Sequence, residues 1–66
     1  MSQFAGKTAV ISGGAEGIGL SIAQALGNQK MNIVIADIDQ SNLEKARLEL
    51  ESDGVSVLAV ALDVAQ

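Results

Sequence analysis

Three apolar runs punctuate the chain: Thr8 to Ile11, Ile33 to Ala36, and Val55 to Leu62. The first two are short and rich in β-branched side chains, the pattern of strands buried on both faces. The third, "VSVLAVAL", alternates only at its start and then becomes uniformly apolar. Between the first two runs, Ile18, Ile22, Ala25 and Leu26 recur at helical spacing, and Lys30 sits where a cation favours the end of a helix dipole. The next segment predicts a second helix. Ser41 and Glu44 match a capping box, with Ser41 as N-cap and Asp39 as a turn residue before it. Leu43, Ala46 and Leu50 form an apolar stripe, and Lys45 and Glu49 make an i,i+4 pair on the outside. Asp53-Gly54 closes the helix, with Gly54 at the left-handed C′ position.

Strand, helix, strand, helix, strand is the grammar of parallel strands joined by right-handed crossover helices. The expected class is α/β, the first half of a Rossmann-type doubly wound parallel sheet with strand order 3-2-1. Progression in one direction puts both helices on the same face of the sheet. The opposite face is then bare and the edge of the first strand open, although the strands are apolar on both faces.

At 66 residues the chain is one small domain at most, and chains of this size bury too little surface for comfortable stability. It has no cysteine for a disulfide and no histidine to help hold a metal. Residues 1–66 are therefore expected to be a half-domain belonging to a longer single-domain protein. Met1 to Ala5 lack a basic, apolar leader, and no apolar run is long enough to span a bilayer. A cytoplasmic location without a membrane partner is the expectation. Four basic residues against eight acidic give a net charge of −4, and Phe4 is the sole aromatic. Both features argue against nucleic acid, which needs clustered cations and stacking rings.

The chemistry concentrates in "SGGAEGIG", residues 12 to 19, between the first strand and the first helix. Backbone N–H groups and the positive end of a helix dipole meet there, so a phosphate can bind. Gly13, Gly17 and Gly19 form G-x-x-x-G-x-G. Gly13 turns the chain out of the strand, Gly17 lets backbone approach a pyrophosphate, and Gly19 lets the helix pack close to the sheet. Glu16 turns its carboxylate to solvent, and Ile18 lies between the last two glycines. The plainer alternative is a glycine-rich turn that starts a helix. About 20 residues on, Asp37 ends the second strand in "IVIADID", with Ile38 beside it. A carboxylate there can accept hydrogen bonds from both adenosine ribose hydroxyls. It would also repel a 2′-phosphate, by roughly 4 kcal/mol at about 4 Å and an effective dielectric near 20. NAD is therefore expected over NADP. Asp63 and Val64, in "LDV" after the third strand, are placed to meet adenine. Simple turn chemistry is the alternative reading for Asp37 and, with more weight, for Asp63.

These pieces together resemble the N-terminal part of a classical short-chain dehydrogenase/reductase, over essentially the whole chain: "GKTAVISGGAEGIG", then "ADID", then "LDV". Ser12 stands where that family usually has threonine. The resemblance implies a cofactor-binding set of Gly13, Glu16, Gly17, Ile18, Gly19, Asp37, Ile38, Asp63 and Val64, with hydride passing between nicotinamide and an alcohol or carbonyl substrate. Family members continue into a catalytic half with a serine and a Tyr-x-x-x-Lys pair. This chain has no tyrosine. The 66 residues are expected to be the dinucleotide-binding segment, to bind NAD only weakly by themselves and not to catalyse, with substrate and homo-oligomer formation belonging to the intact parent. A stand-alone dinucleotide-binding module and a non-catalytic assembling fragment are the alternatives.

Overall fold

The computed structural model describes residues 5–13, 15 and 17–62. Its elements alternate as β1 (Thr8–Ser12), α1 (Gly17–Gly27), β2 (Asn32–Asp37), α2 (Gln40–Ser52) and β3 (Val57–Ala61). The sheet is parallel with β2 in the centre, in the expected order 3-2-1. Val10, Val34 and Leu58 lie side by side in one row, and Ile11, Ile35 and Ala59 in the next. Successive side chains point to opposite faces, so the register sorts the strands into two surfaces.

One surface is the core. Ile33, Ile35 and Leu50 are fully buried, with Leu43, Val55 and the alanines Ala15, Ala23 and Ala46 packed around them. Ala9, Ile11, Val57 and Ala59 extend this layer on the flanking strands. Both helices cover this face and touch one another, and Gln24 Nε2 of α1 donates to Glu49 Oε2 of α2 at 2.7 Å. The opposite surface is apolar and uncovered: Val10 is 71% exposed, Leu58 61% and Val60 38%.

Helix α1 departs from the expected stripe. It buries Ala23 and Gly27 and half-buries Leu20 and Leu26, while Ile18, Ile22 and Ala25 face outward. The helix is apolar all round, so spacing alone does not select a face. Small residues win the inner face because they let the helix approach closely. An added Cβ on Gly27 would lie 2.6 Å from Val55 Cγ2, a contact that no real side chain makes.

Helix α2 buries the expected Leu43, Ala46 and Leu50 but starts two residues early. Its N-cap is Asp39, not Ser41: Asp39 Oδ1 accepts from the Asn42 N–H at 3.1 Å. The pattern of a capping side chain three residues ahead of a polar one fits Asp39 and Asn42 as well as Ser41 and Glu44. The short connection from β2 selects the earlier pair. The expected Lys45–Glu49 pair is absent too. Arg47 instead bridges Glu44 and Glu51, while Glu49 serves Gln24. The hydrogen bond from Arg47 holds the Glu44 carboxyl below the usual carboxylate range.

Both helices end alike. After α2, Gly54 takes φ +82°; its N–H donates to Glu51 O at 2.9 Å, and that of Val55 to Leu50 O at 3.0 Å. These two bonds define a Schellman motif. After α1 the same role falls to Lys30 at φ +68°, with Lys30 N–H on Gly27 O and Met31 N–H on Leu26 O. Lys30, expected to act through its charge, closes the helix with its backbone.

Candidate cofactor site

The sheet's carboxyl edge gathers the ends of all three strands. Gly13 follows β1 and its N–H donates to Ala36 O at 2.6 Å, so the glycine turn leaves directly beside Asp37. On the other flank, Leu62 N–H donates to Asp37 O at 2.8 Å. Asp37 thus sits between the exits of β1 and β3, at the last position of β2. Parallel ladder pairing alone brings these sequence-distant groups together. Among the described residues they form an open ledge with no enclosed cavity.

Two glycines of the loop have backbone conformations that favour glycine. Gly13 has φ +71° and Gly17 φ +61°, and a Cβ added to either would meet nothing within 4 Å. Internal packing therefore does not demand glycine at these points. The backbone conformation does, and it leaves open space beside the peptide units. That combination fits a group brought against the main chain at the start of α1. The first turn of α1 carries no acidic side chain to compete for its N–H groups. Ile18 is 81% exposed on the same turn, and Gly19 is half-buried.

The carboxylate of Asp37 is half-buried and oriented. Its Oδ1 accepts from Asp39 N–H at 3.1 Å, and Oδ2 has no partner among the described residues. Ile38, 59% exposed, projects beside it. Asp39, by contrast, has both oxygens committed to the helix cap: Oδ1 to Asn42 N–H and Oδ2 to Asn42 Nδ2 at 3.2 Å. The structure thus brings Gly13, Asp37 and Ile38 to one edge, with Gly17, Ile18 and Gly19 opening the helix that rises from it. Glu16, Asp63 and Val64 lie outside the described residues. No group of three or more His, Cys, Asp or Glu side chains arranged to hold a metal occurs among the described residues.

Sequence reasoning missed two features of this region. Asp39 was detectable as a cap from its own Asp-x-x-Asn spacing. Gly27 had no signal beyond its place near a helix end, since its role depends on Val55 from another part of the chain.

The model of the short chain dehydrogenase family matches residues 7–66. The chain belongs to this family. Among similar proteins is the short chain dehydrogenase/reductase dpmpG of Macrophomina phaseolina, 40% identical over 97% of this chain and 37% of its own length. A short chain dehydrogenase/reductase of Burkholderia phymatum, solved in complex with NAD, superposes with a TM-score of 0.88 at 35% identity, covering 100% of this chain and 24% of that one. L-Sorbose reductase from Gluconobacter frateurii, solved with NADPH and L-sorbose, superposes with a TM-score of 0.82 at 42% identity, covering 96% of this chain and 24% of that one. The chain therefore spans between about a quarter and two-fifths of the length of these three proteins.

Proposed function

We propose that this chain is the dinucleotide-binding portion of a longer short-chain oxidoreductase, and that its cofactor is NAD rather than NADP. The observation that carries the reading is the position of Asp37 at the end of β2, flanked by the Gly13 exit and by Leu62. Gly13, Gly17, Ile18 and Gly19 receive the pyrophosphate at the start of α1, where N–H donors and the helix dipole favour an anion. Asp37 accepts from the adenosine ribose through the side of its carboxylate that Asp39 N–H leaves available. Ile38, Asp63 and Val64 border the adenine, and Glu16 keeps its charge in solvent.

When bound, the nicotinamide supplies the hydride donor or acceptor for an alcohol or carbonyl substrate. The role of these residues is to bind and orient the other end of the cofactor. Proton transfer to or from the substrate we assign to the rest of the protein; this chain has neither tyrosine nor histidine. Solved relatives hold NAD in one case and NADPH in another, so family membership leaves the choice between them to local residues.

The test is Asp37→Ala in the full-length protein, with NAD and NADP affinities measured by titration calorimetry. NAD binding should weaken by roughly tenfold or more, as expected for a lost charged hydrogen bond. Discrimination against NADP should relax. Unchanged constants for both cofactors would remove Asp37 from the site.

A further inference from the structure

We infer that Asp53-Gly54, at the C-terminal end of α2, is a site of spontaneous backbone isomerisation to isoaspartate, held closed in the folded protein by the helix cap and by the packing of Val55 on Gly27. The inference is independent of the cofactor reading. In the reaction the Gly54 backbone nitrogen attacks Cγ of the Asp53 carboxyl in its protonated form. An N–Cγ bond forms, the amide proton and the carboxyl hydroxyl leave as water, and a cyclic succinimide results. Water then opens the ring at the carbonyl carbon that had joined Asp53 to Gly54, so the main chain runs through Asp53 Cβ and Cγ. Water is released and taken up again, nothing is oxidised or reduced, and the mass returns to its starting value.

The sequence singles out Asp53 for this step. A following glycine leaves the attacking nitrogen unhindered by a side chain. Asp37, Asp39 and Asp63 are followed instead by Ile38, Gln40 and Val64. Asp53 and Gly54 are both exposed, and a Cβ added to Gly54 would meet nothing within 4 Å, so the turn has room for the carboxyl to swing over the peptide. The folded backbone opposes it. Asp53 lies at φ −87° and ψ 4°, which turns the Gly54 nitrogen away from Cβ, whereas ring closure needs it on the same side. The Gly54 N–H is also committed to Glu51 O at 2.9 Å. Beyond it Val55 is buried, ties its own N–H to Leu50 O at 3.0 Å and lies against Gly27. Rotation at Asp53 therefore requires the end of α2 to open and Val55 to give way, a local opening that costs less than unfolding the sheet. The product carries an extra main-chain atom inside the cap, so each opening that reacts is recorded covalently.

The test incubates the full-length protein for weeks at neutral pH, in buffer and in urea. Isoaspartate at position 53 is followed by peptide mapping and by methylation with an isoaspartyl methyltransferase. In urea position 53 should convert, well ahead of Asp37, Asp39 and Asp63. In buffer it should still convert, but slower by about tenfold or more, the ratio reporting the opening equilibrium. Gly27→Ala, whose Cβ would lie 2.6 Å from Val55 Cγ2, should speed conversion in buffer. The expected gain is at least about threefold, whereas Ile35→Val, which weakens the core from the middle of β2, should stay within about twofold of the parent. Equal rates in buffer and urea would show that the cap does not guard the site, and the inference falls. It falls as well if position 53 does not convert in urea, or converts in urea but never in buffer. A gain from Ile35→Val as large as that from Gly27→Ala would mean that only global unfolding exposes the site, which overturns the local gate. Should Gly27→Ala fail to fold, the ratio of the buffer and urea rates decides.

Discussion

Lys30 adopts a backbone conformation that side chains with a Cβ generally avoid. At φ +68° it takes the C′ position of α1, where Gly54 serves α2 at φ +82°. The left-handed conformation costs a non-glycine residue roughly 1–2 kcal/mol, part of which glycine gives back through its greater freedom when unfolded. Lys30→Gly in the full-length protein should therefore raise stability by about 0.5–1 kcal/mol, read from the midpoint of urea unfolding. A midpoint that falls would show that the lysine side chain contributes more than its backbone costs. The residue scale was only partly open to sequence reading. Gly54 was placed correctly because Asp-Gly after an amphipathic stripe is a local signal. The backbone role of Lys30 went unread because nothing in a lysine announces positive φ, which follows from how β2 must be reached after the helix.

At the scale of elements, close approach decides more than hydrophobicity. Helix α1 buries Ala23 and Gly27 and leaves Ile18 and Ile22 outside. The wall that sets this spacing is Val55, whose two γ-methyls occupy the space a Cβ on Gly27 would need. Gly27→Ala should destabilise the full-length protein by about 1–3 kcal/mol, as overpacking does. Adding Val55→Ala should recover part of that loss, so the double mutant should be more stable than the sum of the single effects predicts. Strict additivity in thermal or denaturant unfolding would mean the two residues do not share the space. Strand identity and helix α2 were legible because their patterns are local: β-branched runs for the strands, and Leu43, Ala46 and Leu50 for the helix. The start of α2 was misplaced by two residues because two cap patterns overlap, and the span from β2 chooses between them.

Across the whole molecule, the two faces of the sheet have different fates. The helices cover one, while Val10, Leu58 and Val60 stand exposed on the other although they are as apolar as a core. On the proposal that the chain continues in a longer oxidoreductase, this face is covered there. Leu58→Asp should then cost the full-length protein at least about 2–4 kcal/mol, the penalty of placing a charge in an apolar layer. Leu48→Asp, on the exposed side of α2, should stay within about 0.5 kcal/mol. Similar midpoints for the two variants would mean that solvent reaches the bare face in the intact protein.

Sequence alone determined the alternation of elements, the parallel order of the strands, the glycine turn and the carboxylate at the end of β2. Each is written in contiguous residues, where periodicity, β-branching and turn chemistry act over a few positions. The positions of the candidate residues could be read for the same reason, since Gly13 follows β1, Gly17 opens α1 and Asp37 ends β2. Tertiary structure decided which face of α1 goes inward, which of two overlapping caps starts α2, and which strand exits flank Asp37. Those depend on contacts between residues far apart in the chain: Gly27 with Val55, Gln24 with Glu49, and Gly13 and Leu62 on either side of Asp37. Such contacts form only once the strands have paired, and a pattern read along the chain has no access to the distances across it.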